Sequence, residues 1–494
     1  MTFEYYSQLK SILDDKKISI EPKILEQYKS DNSFGFVDPK VPKCIIWPEN
    51  IKDIQQIVKF ANEKTISLVP LSSETPRFHG TSVPRNDNTI IIDFTKMKKI
   101  LNIDVKNRGV MLEAGVNFEE YINAAKEAGL RPHLPLYPYA KKSVVGAALD
   151  REPVIIPKYH WDIADPLLCT EVVFGTGNMF RTGAAAGPGS LTQQKESGGA
   201  QKNPMGPTQF SPFRIIQGAQ GTIALVNWAT LKVQQAINLR KNYFITSEKL
   251  DTNFDFIYEI LKYRLGDEIF ILNNLNLASL LQKDEASINK MRDNLPNWIG
   301  IISITGSGSL AEDKIAWQQG DISEYATKFG VELKENLPNI SDEQIRIILE
   351  EASPVPWRLK YKGGCNDIFF ISTLDKTPKY KEIMWKNAEK FNSKNIGVYI
   401  QPLVQGCNVH CEFDLFYNPE DQSERSITKD TFIKCSQALI NNGAFFNRPY
   451  GIWADMIYPK VQPNIIKSMQ KVKNIFDPNN VLSPGALCFK EGLN

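Results

Sequence analysis

The most informative hydrophobic pattern runs from residue 43 to 71, KCIIWPENIKDIQQIVKFANEKTISLVPL. Two short apolar runs flank a stretch in which Ile51, Ile54, Ile57, Val58 and Ala61 recur at helical spacing behind a proline-led turn. That reads as strand, amphipathic helix, strand, a βαβ unit that delivers the chain from a buried strand into a polar loop beginning LSSETPRFHG. TIIIDF (89–94) predicts another strand, and ILNIDVKNRGVMLEAGV (100–116) a hairpin turning at Asn107, Arg108 and Gly109. Asn117 with Glu120 three residues on caps the helix FEEYINAAKEAGL, which Gly129 closes.

CTEVVF and MFRTG predict a second hairpin around residues 175–178. Residues 183–212, rich in Gly, Pro, Ser and Gln, read as a long surface loop, and FRIIQGAQGTIALVNWATLKVQ as a glycine turn and a strand. Beyond residue 237 the texture changes. DFIYEILKYRLG and SDEQIRIILEEA are helical, whereas WIGIISITGSGS, GVYIQPLVQG and HCEFDLFYNP have strand character. The pattern predicts an α+β protein with a first domain over 1–236, a second over 237–450 built of antiparallel sheet and helices, and a C-terminal segment over 451–494 whose helix stops at Asp477-Pro478.

Composition narrows the function classes. The 58 basic and 56 acidic residues nearly cancel and form no long run of one sign, so no nucleic-acid partner is indicated. No run of about 18 apolar residues occurs, and the amphipathic amino terminus has no cleavage-site pattern, so a soluble, cytoplasmic protein without a membrane span is expected. Seven scattered cysteines suit a reducing compartment. CNVHC (407–411) lies in a strand pattern without a second ligand pair, so no metal is expected there.

The polar loop carries the chemistry. Ser72, Ser73, Thr75, Pro76 and Gly80 are small or turn-forming, and small residues let backbone N–H groups converge on an anion; Arg77 and His79 stand among them. The loop reads either as a phosphate cradle or as an ordinary polar turn.

In order along the chain, that loop with IIIDF and LEAGV, then SVVGAALDR, TEVVFGTGNMFRTG, GAQGTIALVNWATLKV, DLFYNPED and KNIFDPNNVLSPG, resemble the FAD-linked oxidoreductases of the vanillyl-alcohol oxidase and p-cresol methylhydroxylase type. The resemblance covers roughly 40–494 and is weakest between 240 and 390. It implies an FAD-binding domain of two α/β subdomains, a cap domain, and a C-terminal segment returning to the first.

It also implies that Ser72, Ser73, Glu74, Thr75, Arg77, Phe78, His79 and Gly80 surround the FAD pyrophosphate, where relatives typically carry glycines. Glu74 must then turn outward or pair with Arg77. Ser143 and Val144 would lie near the flavin ring with Gly146 permitting close approach, and Gly221 and Leu225 near the adenine, where Ala224 replaces the usual glycine. His79, Asn447 and Arg448 fall where phenol-oxidising relatives hold a phenolate with two tyrosines and an arginine; the flavin-side aspartate is replaced by Pro138. Cys411 falls where some relatives attach FAD through histidine, and noncovalent FAD is the expectation.

Arg448 in FFNRPYG is isolated in apolar company, and its anionic partner is either a substrate or a structural carboxylate. His79 could act as a base. The implied function is a dehydrogenase or oxidase that takes hydride from a CH–OH or benzylic carbon of a 2-hydroxy acid, phenol or aryl alcohol, in a homo-oligomer with an electron-acceptor protein as a further partner. Two alternatives remain open: a flavin-carrying electron-transfer subunit with no small substrate, and a flavin-free scaffold.

Overall fold

The computed structural model describes residues 4–32, 36–157, 166–199, 201–206 and 213–489. Three sheets organise the chain. The first joins β1 (Ile18–Ser19), β2 (Cys44–Ile46), β3 (Ser67–Leu71) and β4 (Thr89–Asp93) in the order β1-β2-β4-β3. β2 and β3 both run parallel to β4, so the predicted βαβ crossover leaves one strand position between its two strands for β4. Alternation along these strands sends Ile46, Leu68, Ile90 and Ile92 toward the helix Ile51–Lys64, while Ile45, Val69 and Ile91 pack on Leu25, Tyr28 and Trp47. Both faces are covered, as a parallel sheet requires.

The outer edge of β3 is closed by the tail of the chain. The Leu68 amide donates to the Val481 carbonyl at 2.7 Å, and the Ser483 amide to the Leu68 carbonyl at 2.8 Å. Lys473, buried, donates to the carbonyls of Thr222 (2.6 Å) and Leu482 (2.9 Å) and pairs with Asp477, which fixes the tail against the glycine turn at 218–221.

The second sheet contains β5 (Ile100–Asp104), β6 (Gly109–Glu113), β7 (Leu130–Pro132), β8 (Leu167–Phe174), β9 (Met179–Arg181) and β10 (Ala224–Gln235), with the path β5-β6-β10-β8-β9 and β7 beside β10. Both predicted hairpins form, and the capping box at Asn117 and Glu120 is present. The segment predicted as loop over 183–212 instead holds a 3-10 turn Gly183–Ala186 and a helix Leu191–Glu196. Ser190 and Gln193 form a second capping box there, a local signal that outweighs the loop-like composition. Residues 200 and 207–212 of that segment lie outside the described residues.

The third sheet is antiparallel throughout, β11 (Leu239–Ser247), β12 (Glu268–Asn273), β13 (Trp298–Gly306), β14 (Gly364–Ser372), β15 (Ile396–Leu403) and β16 (Asn408–Tyr417), ordered β11-β13-β12-β15-β16-β14. One face of its β14–β16 end buries Ile368, Phe370, Ile400, Cys411 and Phe413 in the largest core with helix Gln422–Asn441. The other face carries Asp367, Phe369, Tyr399, His410 and Glu412 and forms the wall of a cavity that the loop after β3 closes from the opposite side. Among the described residues no helix is long and apolar enough to cross a membrane.

Candidate functional site

The cavity begins where β3 ends. Pro70, Leu71 and Ser72 line two adjoining hollows, which also share Gly146 and Asp150, so the pair forms one trough. Ligands in parallel sheets bind beyond the carboxyl ends of the strands, and this loop lies there. Among the described residues, the amides of Ser73, Thr75, Arg77 and Phe78 donate to no protein acceptor. The Glu74 amide donates to the Lys141 carbonyl at 3.2 Å, and the Gly80 amide to the Asp31 carboxylate at 2.5 Å. Several donors therefore remain for an anion, while the loop's two shoulders are fixed.

The second wall is the helix Val144–Leu149 with Ser143 as its cap. The Ser143 amide donates to Ser73 Oγ (3.0 Å), and Ser143 Oγ donates to the Ala114 carbonyl (2.7 Å). A side chain on Gly146 would put Cβ 3.2 Å from Ser72 Oγ, so glycine keeps the helix and the loop close. At the far end Gly221 has φ +71°, and a Cβ there would come within 2.5 Å of Pro70. Gly221, Ala224 and Leu225 line this narrower hollow.

Several predicted contacts are corrected. Glu74 is off the trough, held by Lys98 at 2.8 Å and Lys141 at 3.6 Å rather than by Arg77; the Lys98 hydrogen bond outweighs burial and keeps its carboxyl below the usual range. Thr75 and Gly80 support the loop from outside the cavity wall, the Thr75 carbonyl accepting from the Tyr139 hydroxyl at 2.8 Å. Val144 points into the core beneath the second sheet, and Val145 takes the trough side, because adjacent helical positions lie about 100° apart. Ser143 is fully buried and reaches the trough only through Ser73. Cys411 faces the opposite core, since one step along a strand reverses the side chain, and His410 and Glu412 face the cavity instead. Asn447 is off the wall; its Oδ1 is buried without a partner among the described residues.

Ser72, Ser73, Arg77, Phe78, His79 and Arg448 do meet on the cavity wall. Arg77 lies over the Tyr28 ring at 5.1 Å and donates to the Gln27 carbonyl at 3.2 Å. His79 has φ +69°; its Nε2 lies 2.9 and 3.0 Å from the two oxygens of Asp367, and its ring stacks on Tyr450 at 4.9 Å. Burial alone would raise the Asp367 carboxyl, but His79 outweighs it and keeps it below the usual range.

Arg448 is 6% exposed, and its guanidinium carbon lies 4.1 Å from the centre of the Phe369 ring. Among the described residues no carboxylate lies within ion-pair distance of it, and its Nε has no hydrogen-bond partner. Burial disfavours its charge, yet Tyr450, Glu152, Asp150 and Glu412 together keep it firmly protonated. The neighbouring cations are paired: Lys142 with Glu152, and Arg358 with Glu412 and with Asp414 at 3.0 Å. In that trio Glu412 is ionised, because Arg358 outweighs the desolvation, whereas burial and the adjacent Glu412 push the Asp414 carboxyl well above its usual range. His410 is 1% exposed; its Nε2 meets Glu412 Oε2 at 2.7 Å, and its Nδ1 has no partner among the described residues.

Lys142, Asp150, Glu152, Arg358, Asp367, Tyr399, His410 and Glu412 are wall residues that the motifs did not single out as site residues. The usable signal was alternation. In NVHCEFDLFY the polar His410, Glu412 and Asp414 share one face of a strand that is otherwise apolar.

Residues 42–183 match the FAD binding domain family. The mitochondrial D-lactate dehydrogenase (cytochrome) of Arabidopsis thaliana is 25% identical over 232 residues, 47% of this chain and 37% of that protein. The 4-cresol dehydrogenase (hydroxylating) flavoprotein subunit of Pseudomonas putida is 21% identical over 520 residues, 97% of this chain and 94% of that one. The crystal structure of p-cresol methylhydroxylase with substrate bound superposes with a TM-score of 0.81 at 17% identity, over 99% of this chain and 97% of that one, so the fold is shared.

Proposed function

We propose that the chain is an FAD-linked oxidoreductase of the p-cresol methylhydroxylase type, that it oxidises a small anionic substrate at a carbon bearing hydroxyl, and that Arg448 is the anchor for the anion. The Arabidopsis relative is named for a hydroxy acid and the Pseudomonas relative for a phenol; both substrate classes offer an anion. The observation that carries the reading is a buried guanidinium on the cavity wall with no carboxylate at ion-pair distance among the described residues. A buried cation of this kind is costly unless an anion arrives.

The trough fits FAD. Amides at Ser73, Arg77 and Phe78, unpaired among the described residues, supply donors for the pyrophosphate, the bare Cα of Gly146 permits close approach, and the Gly221–Leu225 hollow suits the adenine end. When bound, FAD supplies a two-electron acceptor for hydride. The chain's own residues do the rest. Arg448 on Phe369 holds the anion, Asp367 orients His79, and Tyr137, Trp357 and Tyr399 line the cavity. An electron-acceptor protein belongs to the same reading, since one relative is named a flavoprotein subunit and another is cytochrome-linked.

The test is a screen of anaerobic flavin bleaching near about 450 nm across 2-hydroxy acids, phenols and aryl alcohols. Bleaching by at least one anionic class is expected. A flavin that is reduced only by a protein partner would favour the electron-transfer subunit.

A further inference from the structure

Two histidines reach the cavity from opposite sides, and their surroundings differ in kind. His79 Nε2 is engaged by both oxygens of Asp367, and its ring is stacked on Tyr450 and set edge-on to Phe36 and Phe369. Its environment fixes it in place. His410 is held at one nitrogen only, Nε2 against Glu412, while Nδ1 is buried without a protein partner among the described residues.

The tautomer follows from the partners. Arg358 keeps Glu412 ionised, and an ionised carboxylate can only accept, so the 2.7 Å contact requires the hydrogen on Nε2. Burial lowers the basicity of His410 below the usual histidine value; Glu412 opposes this, and the guanidiniums of Arg448 and Arg358 add to it. A neutral ring with Nε2–H carries its lone pair on Nδ1. The titratable and charged groups packed about it are Glu412 on its own strand, Tyr399 on β15, Arg358 in the turn Trp357–Leu359, and Arg448. Arg448 and His410 both pack on Phe369, with the guanidinium carbon 4.1 Å and the imidazole centre 5.7 Å from the centre of its ring. An anion anchor and an unprotonated nitrogen thus share one aromatic platform, an arrangement suited to a 2-hydroxy acid, whose carboxylate and hydroxyl are borne on adjacent carbons.

We propose that His410, positioned by Glu412 and Arg358, is the catalytic base that takes the substrate hydroxyl proton, the role that the loop sequence alone suggests for His79. This rests on the oxidoreductase reading above. The O–H and C–H bonds of the substrate would break as the C=O bond forms, the proton ending on Nδ1, and FAD, when bound, would supply the acceptor for the hydride and its two electrons. Glu412 is a positioning residue that fixes the tautomer.

The test uses the FAD-loaded full chain. His410→Gln is expected to bind a non-reacting 2-oxo acid, followed by the flavin spectrum, within about threefold of wild type, and to lose at least about 100-fold in the stopped-flow rate of flavin reduction. Wild type should show an acid limb in that rate below pH of about 6.5, and the variant should lack it. Independently of turnover, 15N spectra of the wild-type protein, which has only four histidines, should show unprotonated Nδ1 for His410 at neutral pH. Retention of rate and acid limb in His410→Gln, their loss in His79→Gln alone, or a protonated Nδ1 would overturn the assignment. A wild-type flavin that no hydroxy acid or alcohol reduces would overturn the reading beneath it.

Discussion

At Arg448 the charge, the burial and the aromatic platform combine in one side chain. Arg448→Met should weaken transition-state binding of an anionic substrate by roughly 2–4 kcal/mol, read as kcat/KM, while a neutral analogue loses little. Arg448→Lys should restore only part of this, because a point charge lacks the planar fork that grips a carboxylate. Unchanged kinetics in both variants would exclude the anchor. The arginine was legible because a charge between FFN and PYG has no local partner. Glu74 was half legible: its need to turn outward follows from charge alone, whereas Lys98 and Lys141 as its partners depend on tertiary contact. Asp150, Glu152, Asp367 and Glu412 were not recognised, because separate elements bring them together and no spacing along the chain records that convergence. For His410 and Glu412 the shared face could be read, but not which side that face met.

At the scale of elements, the trough depends on close contact between pieces that carry no side chain at the contact. Gly221→Ala should cost about 1–3 kcal/mol, since a Cβ at φ +71° is strained and would strike Pro70. A lower urea midpoint together with a reduced flavin-to-protein ratio is the expected result; normal values in both would show that the turn relaxes freely. Sequence pattern located β2 to β4, both hairpins and the capped helix Phe118–Glu127, because each is fixed by local periodicity and turn chemistry. It missed helix Leu191–Glu196, where composition suggested loop but Ser190 and Gln193 supplied a cap.

Across the whole molecule, the second and third sheets are tied by a buried ionic network. Glu268 on β12, fully buried, pairs with Arg131 on β7 and with Arg240 on β11 at 2.9 Å, and Arg240 also reaches Glu350 at 2.9 Å. Removing one member of such a network leaves uncompensated charge, so Glu268→Gln should destabilise by about 3–5 kcal/mol. A thermal or urea midpoint within error of wild type would contradict this. Bound in the trough as proposed, FAD should raise the melting temperature in a concentration-dependent way, by about 2.7 kcal/mol of added stability at a hundredfold excess over Kd. The closure of β3 by Val481–Ser483 has a temporal consequence. During translation the ribosome makes the cradle loop some four hundred residues before the strand edge beside it acquires its final hydrogen bonds. Cofactor capture that needs this edge closed must therefore wait until residue 483 has been made, and a nascent chain stalled before residue 481 should be isolated without flavin.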